Sequence, residues 1–520
     1  MPAATRHATL IELMARQAAT RGDAVALQME GRNLTYAQWA ARADAAAGMI
    51  RALGVKPADR VVWLGRTSLA YYELLMGATL ARACLTPINI RLAAPEIAFI
   101  LEDSDANVVF VTPQYFELAA NLARELPRQV TLIAVDGEQA GFLSFEALMA
   151  AAASGAGDAP RDDDDILQLY TSGTTGRPKG VRLTNANYGF LAAAFAEVEG
   201  FLFKADEAAL CVMPLFHVAG VNFSVASLAG GARLVLLAEF SPAAVIQLIE
   251  RERIAHVFLV PAMIQMMLQA PEIEGADLSS LRSVSYGASP ISEAVLSAAT
   301  ARFGCGFNQF YGMTETTGAG TTLQADQHTP DLLRSCGVSF PGMEARIQDY
   351  DGRALGPGEI GEIALRGPAI MPGYWKREDA TRETISADGW LRTGDAGYCD
   401  AAGFHFVHDR LKDMIVSGGE NIYPAEVENA ILGCPGVADA AVIGIPSDRW
   451  GEEVRAIVVA APGVAPTPDE IIAWTRGRIA GFKAPKSITF VDALPRNASG
   501  KILRRELRAP YWEGRSRAVG

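Results

Sequence analysis

Short apolar runs alternate with helical patterns along most of this chain, and that alternation restricts the fold more than any other feature. Residues 61–64 read as a strand, 68–81 as a helix and 107–111 as another strand. Strands separated by helix-length segments imply βαβ units and a largely parallel sheet. A small-residue stretch at 151–160 and the acidic run 162–165 read as a linker with a solvated end. The rhythm then resumes, with a strand predicted at 166–170 and a helix at 185–198. Ser241 caps a further helix with Pro242 in its first turn, ahead of a strand at 256–260. Residues 281–287, 291–303 and 307–311 continue as strand, helix, strand. The fold class expected is α/β, with two α/β layers side by side.

The chain has 520 residues, half of them hydrophobic and a fifth charged, which suits a large buried core and excludes disorder as the main state. Its length allows about three or four folding units. A formal charge of −13 argues against a nucleic-acid binder, which would show a basic face. The six cysteines are far apart, as reduced core thiols of a cytoplasmic protein would be, and form neither a disulfide frame nor a zinc site. No apolar leader segment opens the chain, so no secretory signal is expected. Residues 208–232 are uncharged and long enough to span a bilayer, but Pro214, His217 and Asn222 interrupt them. A strand, a loop and a buried helix are expected there instead.

From about Arg334 the texture changes. Glycine-punctuated runs such as 361–367 suggest an antiparallel β region. After Asp409 a compact unit is expected, with a helix opened by Pro424, strands near Val442 and Val458, and a helix begun by a Thr467-to-Glu470 capping box. The domain reading is 1–408 and 409–520.

The segment from Tyr170 to Gly180 follows an apolar strand and packs three glycines, four aliphatic hydroxyls and Lys179 into one turn. Glycines let backbone N–H groups approach an anion, hydroxyls donate to phosphate oxygens, and the lysine adds charge. Gly180 follows Lys179 where a Walker A loop has Ser or Thr, so this is a different phosphate loop. A second segment, 308–315, runs from a strand into a glycine turn and would expose Tyr311, Thr314 and Glu315 at the strand's carboxyl end, where open α/β sheets bind ligands. Three more segments carry polar groups on glycine turns: 389–395 with Asp395, 409–421 with Arg410 and Glu420, and 495–501 with Lys501. His405 and His408 fall on opposite faces of a strand and make a poor metal pair.

In this order the five segments resemble the adenylate-forming superfamily of acyl-CoA synthetases, luciferases and peptide-synthetase adenylation domains, from Leu34 to Lys501. The texture is most similar to bacterial fatty-acid CoA ligases. The resemblance implies a large N-terminal body of two α/β layers plus a β region, and a small mobile α+β C-terminal domain. It implies an acid–thiol ligase that uses ATP, Mg²⁺ and coenzyme A: a carboxylate displaces pyrophosphate from ATP to give acyl-AMP, and the thiol then displaces AMP.

Residue by residue, Thr171, Ser172, Gly173, Thr174, Thr175, Gly176 and Lys179 would hold the pyrophosphate. Gly287, Ala288, Gln309, Phe310 and Gly312 are carried over to the nucleotide, with Tyr311 against adenine and Asp395 and Arg410 on the ribose. Thr314 would touch the α-phosphate, Glu315 with Thr171 would hold Mg²⁺, and Lys501 would bridge carboxylate and phosphate. Asp409 would be the hinge, and Gly418, Gly419 and Glu420 would line the coenzyme A path after rotation.

Two positions depart from the common pattern. The acyl-pocket segment often written Gly-Gly-Ala-Pro is Gly287-Ala288-Ser289-Pro290, and the residue before the adenine aromatic, often glycine, is Phe310. The remaining pocket wall would come from Phe216, His217, Val218, Ala219, Gly220, Phe223, Tyr286, Gly312 and Met313. His217 is open between a pocket-gating residue and a satisfied core histidine. The wall offers no cation for a second carboxylate, so a hydrophobic monocarboxylic acid is expected, a medium- or long-chain fatty acid. The alternatives are an aromatic or alicyclic carboxylate CoA ligase and an acyl-AMP ligase that loads a carrier protein. A non-catalytic ATP sensor is disfavoured by the presence of both Glu315 and Lys501. The final residues carry no Ser-Lys-Leu address, against a luciferase-like role. Small-molecule partners, no nucleic acid and no transmembrane segment are expected, and a homodimer is left open.

Overall fold

The structure is a computed structural model that describes residues 7–153, 157–171, 178–289, 291–410, 413–418, 420–464, 466–496 and 501–513, without the side chains of Glu199, Asp409 and Arg410. The chain opens with a hairpin of β1 (Val25–Met29) and β2 (Arg32–Thr35). Seven strands follow: β3 (Arg60–Leu64), β4 (Cys84–Pro87), β5 (Val108–Val111), β6 (Thr131–Ala134), β7 (Leu143–Ser144), β8 (Asp165–Thr171) and β9 (Lys179–Thr184). They form one sheet in the order β7-β6-β5-β3-β4-β8-β9, parallel except at the β8–β9 hairpin. The chain winds from β3 to β4 and then back across β3 to β5, so this sheet reverses its winding between β3 and β5.

A second sheet uses β10 (Ala208–Cys211), β11 (Arg233–Leu236), β12 (Ile254–Leu259), β13 (Ser283–Gly287), β14 (Gly306–Tyr311), β15 (Thr321–Leu323) and β16 (Val338–Ser339). Its order is β16-β15-β14-β13-β12-β10-β11-β1-β2. The opening hairpin therefore leaves its sequence neighbours and pairs β1 with β11, in register Leu27↔Leu234. Pairing covers what would otherwise be an open edge strand.

Helices between the strands form where the sequence supplies caps. Ser68 caps Leu69–Leu80 by accepting from the Ala70 N–H. That helix is buried from Leu69 to Thr79, as expected of one that is apolar all round. It packs closely on helix Tyr36–Ala52, because a Cβ on Gly77 would lie 2.4 Å from the Ala46 Cβ. Residues 208–232 resolve into β10, a loop and the buried helix Val218–Ala229, and no described helix is long and apolar enough to cross a membrane. All six cysteines are free.

The strand expected at 166–170 is β8, which pairs with β4 and completes the first sheet. One expectation is corrected in part. The acidic run is a solvated end only in its first half: Asp162 and Asp163 are exposed, but Asp164 pairs with Arg82 at 2.8 Å, and buried Asp165 accepts from Arg60 at 2.6 Å and Arg182 at 2.8 Å. A buried carboxylate is tolerable only with such partners.

The β region is an antiparallel sheet of β17 (Glu344–Gln348), β18 (Gly361–Arg366), β19 (Leu391–Cys399) and β20 (His405–Arg410). The last unit has its own sheet, β21 (Ile415–Ser417), β22 (Glu420–Ile422), β23 (Val437–Ser447), β24 (Gly451–Ala460) and β25 (Ser487–Phe490). It also has its own core, in which Val427 and Ile431 of helix Pro424–Leu432 meet Val442, Val454 and Ile471. The capping box at Thr467 and Glu470 starts helix Pro468–Arg476. Asp409 and Arg410 are the final residues of β20, opposite Ala396 and Asp395, and the next strand belongs to the other sheet.

Candidate active site

The segment expected to bind phosphate connects β8 to β9. Thr171 and Lys179 face each other as the hairpin's last pair. Ser172, Gly173, Thr174, Thr175 and Gly176 lie outside the described residues. A strap at 373–377 clamps the hairpin. The Trp375 N–H donates to the Gly180 carbonyl at 2.7 Å, and Tyr374 bridges to Val181. The Trp375 indole donates to the Asp103 carbonyl at 2.9 Å, while the Arg60 guanidinium lies 3.4 Å from its ring centroid. Asp103 also accepts from Tyr170 at 2.7 Å and Arg377 at 3.0 Å. Sequence reasoning missed this strap; its only local signal is the aromatic pair after Gly373, whose φ is +152°.

Tyr374 joins two predicted groups. Its hydroxyl donates to Glu315 Oε1 at 2.8 Å, and its ring centroid lies 4.9 Å from Lys179 Nζ. Glu315 is 5% exposed, in the turn Thr314–Thr316 that follows β14. The Met371 N–H donates to the Glu315 carbonyl, and the Thr317 hydroxyl to the Ala369 carbonyl, so the segment leading into the strap also fixes this turn. Among the described residues no three His, Cys, Asp or Glu side chains gather as a metal site. A magnesium site resting on one buried carboxylate and completed by substrate phosphates fits that composition.

On β14, side chains alternate between two environments. The Tyr311 hydroxyl donates to Asp395 Oδ2 at 2.7 Å, joining the second sheet to β19. Burial and the Asp395 charge raise the Tyr311 pKa well above its usual value, so it remains a donor. Gln309 Oε1 accepts from Tyr286, whose hydroxyl also meets His328 Nε2 at 3.0 Å. Phe310 points the other way, into a phenylalanine cluster 4.8 Å from Phe201 and 6.5 Å from Phe258. Its ring does not share the face of Tyr311. Two glycines allow close backbone approach: a Cβ would lie 2.3 Å from the Phe310 carbonyl oxygen at Gly287, and 2.4 Å from that of Gly318 at Gly312. Ala288 stands at φ +67°, a conformation that favours glycine.

The expected acyl wall is only partly gathered. Helix Val218–Ala229 begins after His217, with Gly220 packed so that a Cβ would lie 2.5 Å from the Pro214 carbonyl. Val218, Ala219 and Met313 are partly exposed, while Phe223 and Tyr286 are fully buried. Phe223 packs among Phe201, Phe203 and Phe258. His217 is not a satisfied core histidine: its Nε2 is buried and has no hydrogen-bond partner among the described residues. Burial, with a smaller effect from the Arg91 charge, pushes its pKa down to about 4 and keeps it neutral. Asn222, missed by sequence reasoning, donates to the Thr317 carbonyl at 2.7 Å and keeps a buried Oδ1 without a partner among the described residues.

The other predicted groups belong to the C-terminal unit. Lys501 precedes Ile502, which bridges to Arg496. Gly418 has φ +62°, and a Cβ there would lie 2.9 Å from the Trp450 ring. Glu420 is exposed opposite Ser417. Gly419 and the side chains of Asp409 and Arg410 lie outside the described residues.

Two family models match the chain: AMP-binding enzyme over residues 14–375, and AMP-binding enzyme C-terminal domain over 426–501. A fatty acid–[acyl-carrier-protein] ligase, ScoC of Streptomyces coeruleorubidus, is 39% identical over 518 residues, covering 98% of both chains. A feruloyl-CoA synthase of an Amycolatopsis species is 41% identical over 502 residues, covering 95% of this chain and 98% of the relative. The crystal structure of ATP-bound MatB from Rhodopseudomonas palustris superposes with a TM-score of 0.88 at 29% identity, covering 97% of this chain and 99% of that one.

Proposed function

We propose that this chain, which belongs to the AMP-binding enzyme family, is an AMP-forming acid–coenzyme A ligase whose acid is a hydrophobic monocarboxylate, a medium- or long-chain fatty acid. The observation that carries the catalytic part is the meeting of Lys179, Tyr374 and Glu315 beyond the carboxyl end of β14. The apolar helix after His217, with no cation among the proposed wall residues, supports the acid class.

In this reading a carboxylate oxygen attacks the α-phosphorus of ATP. The new P–O bond forms as the bond to the bridging oxygen breaks, and pyrophosphate leaves with that electron pair. Lys179 and the loop from Thr171 receive the leaving charge, Thr314 contacts the α-phosphate, and Lys501 sits between carboxylate and phosphate. Mg²⁺ held by Glu315 and Thr171 would neutralise phosphate charge. Asp395, braced by Tyr311, and Arg410 hold the ribose. The C-terminal unit then turns about Asp409 and brings Gly418, Gly419 and Glu420 to the coenzyme A path. The thiol's proton passes to solvent, sulfur bonds to the acyl carbon, and AMP departs with the electron pair of the breaking acyl–oxygen bond.

A second reading, an aromatic acid bearing a hydroxyl, is favoured by one observation: His217 Nε2 and Asn222 Oδ1 are buried polar atoms without partners among the described residues, at the same helix. Release of AMP from short- to long-chain, aromatic and alicyclic acids, with and without coenzyme A, tests both. Fatty acids should be preferred and coenzyme A required for turnover; strict preference for a hydroxylated aromatic acid would replace the first reading by the second.

A further inference from the structure

A cleft of about 740 Å³ opens at the carboxyl ends of β3 and β5, where the first sheet reverses its winding. Its far wall is the β1–β2 hairpin, so both large sheets contribute. Open α/β sheets bind ligands at this kind of reversal point, and the volume lies within the range of small-molecule sites. None of the residues assigned above to nucleotide, acid or coenzyme A lines it.

The polar groups of this cleft are unequally satisfied. Arg42 is engaged through all three of its nitrogens: its Nε meets Glu73 Oε1 at 2.5 Å, and its two other nitrogens hold Glu146 at 3.1 and 2.7 Å. Glu73 is 2% exposed, yet its Oε2 has no hydrogen-bond partner among the described residues. A buried carboxylate oxygen in that state is an acceptor waiting for a donor, and Glu73 lines the cleft from which one could come. Arg32 and Arg66, whose side chains are 65% and 41% exposed, turn further N–H donors toward solvent at the cleft. Each pairs with a single carboxylate, Asp136 and Glu239 respectively, at 3.3 Å, although a guanidinium carries five N–H donors. The Thr112 hydroxyl, held by the Arg66 N–H, adds a further polar group beside them.

We propose that this cleft is a second ligand site, which binds a small hydrophilic anion that also carries a hydroxyl or ammonium donor. The anionic group meets Arg32 and Arg66, and the donor completes Glu73. Two sources share this chemistry: a sugar phosphate, with hydroxyls as donors, and an acidic amino acid, with its ammonium.

Calorimetric titration of the full chain with glucose 6-phosphate, with glutamate and with sulfate tests it. One of the first two should bind with a dissociation constant on the order of 0.1 mM, and sulfate, which lacks the donor, at least about tenfold more weakly. Glu73→Gln and, separately, Arg66→Ala should each weaken that probe about tenfold or more, with AMP release unchanged in its absence; Arg66→Ala should also leave melting unchanged, whereas Glu73→Gln, which breaks the buried pair with Arg42, should lower it. Binding of glucose 6-phosphate alone identifies the hydroxylated source, and of glutamate alone the amino acid. The proposal is overturned if neither organic probe binds, if sulfate binds as tightly, or if both variants bind like the parent. Because the readout is binding, it stands or falls separately from the choice of acid.

Discussion

The hydroxyl of Tyr374 donates to Glu315 Oε1 at 2.8 Å, although the two residues are 59 positions apart. The same ring lies against Lys179 Nζ. One side chain therefore sets the spacing between a carboxylate and an ammonium that come from different sheets, and the strap that carries it is itself pinned by Trp375 and Arg60.

Tyr374→Phe keeps the ring beside Lys179 and removes only the donor to Glu315. A buried carboxylate that loses a hydrogen bond costs about 1–3 kcal/mol. If that bond positions Glu315 for the metal, acid-dependent pyrophosphate exchange should fall about 10- to 100-fold and need more Mg²⁺ for half-maximal rate. Parent-like exchange at limiting Mg²⁺ would assign Tyr374 a purely structural role.

Lys501→Ala should lower acyl-AMP formation by about 10²–10³, the usual cost of losing a preorganised charge donor. Thioester formation from supplied acyl-AMP should survive. Equal loss in both half-reactions would refute the assignment of Lys501 to the first step.

Asp165→Asn should destabilise the N-terminal body by about 3–5 kcal/mol, because it strands two guanidinium groups, one of them on fully buried Arg60. Urea unfolding followed by tryptophan fluorescence measures this. A change under about 0.5 kcal/mol, typical of a surface site, would contradict the burial assigned to the pair.

His217 makes stability depend on pH. Its pKa is depressed from 6.5 to about 4 in the folded chain. The unfolded chain therefore binds the proton first as pH falls. Stability is full above about pH 6.5 and is lost progressively down to about pH 4, by roughly 3 kcal/mol in all. His217→Asn should flatten that share of the loss in melting curves taken across this window. Parallel pH profiles for parent and variant would show that His217 does not titrate this way.

Much of the local structure was legible in the residues. Ser68, Ser241 and Thr467 begin helices by their own side chains, and Pro424 opens one at a position where its missing N–H costs nothing. The 170–180 segment was readable as a turn after a strand, whereas the second strand that begins at Lys179 and faces Thr171 was not. The candidate site was legible where it is contiguous. Where it is assembled from distant segments it was not: Tyr374, Asn222 and His328 carry no local mark of the partners they meet.

The alternation of apolar runs and helices determined by itself that this is an α/β chain, and the glycine- and hydroxyl-rich segments carried the resemblance that places it in its family. Only the tertiary structure decided that β1 and β2 join the second sheet, that β8 joins the first, that Asp165 is buried between two arginines, and that Phe310 turns away from Tyr311. The physical reason is the range of the forces. Helix caps and turn geometry act over a few residues, so they are written in the local sequence. Strand pairing and the burial of a charge depend on which surfaces meet across hundreds of residues, and a strand's own residues fit either sheet equally well.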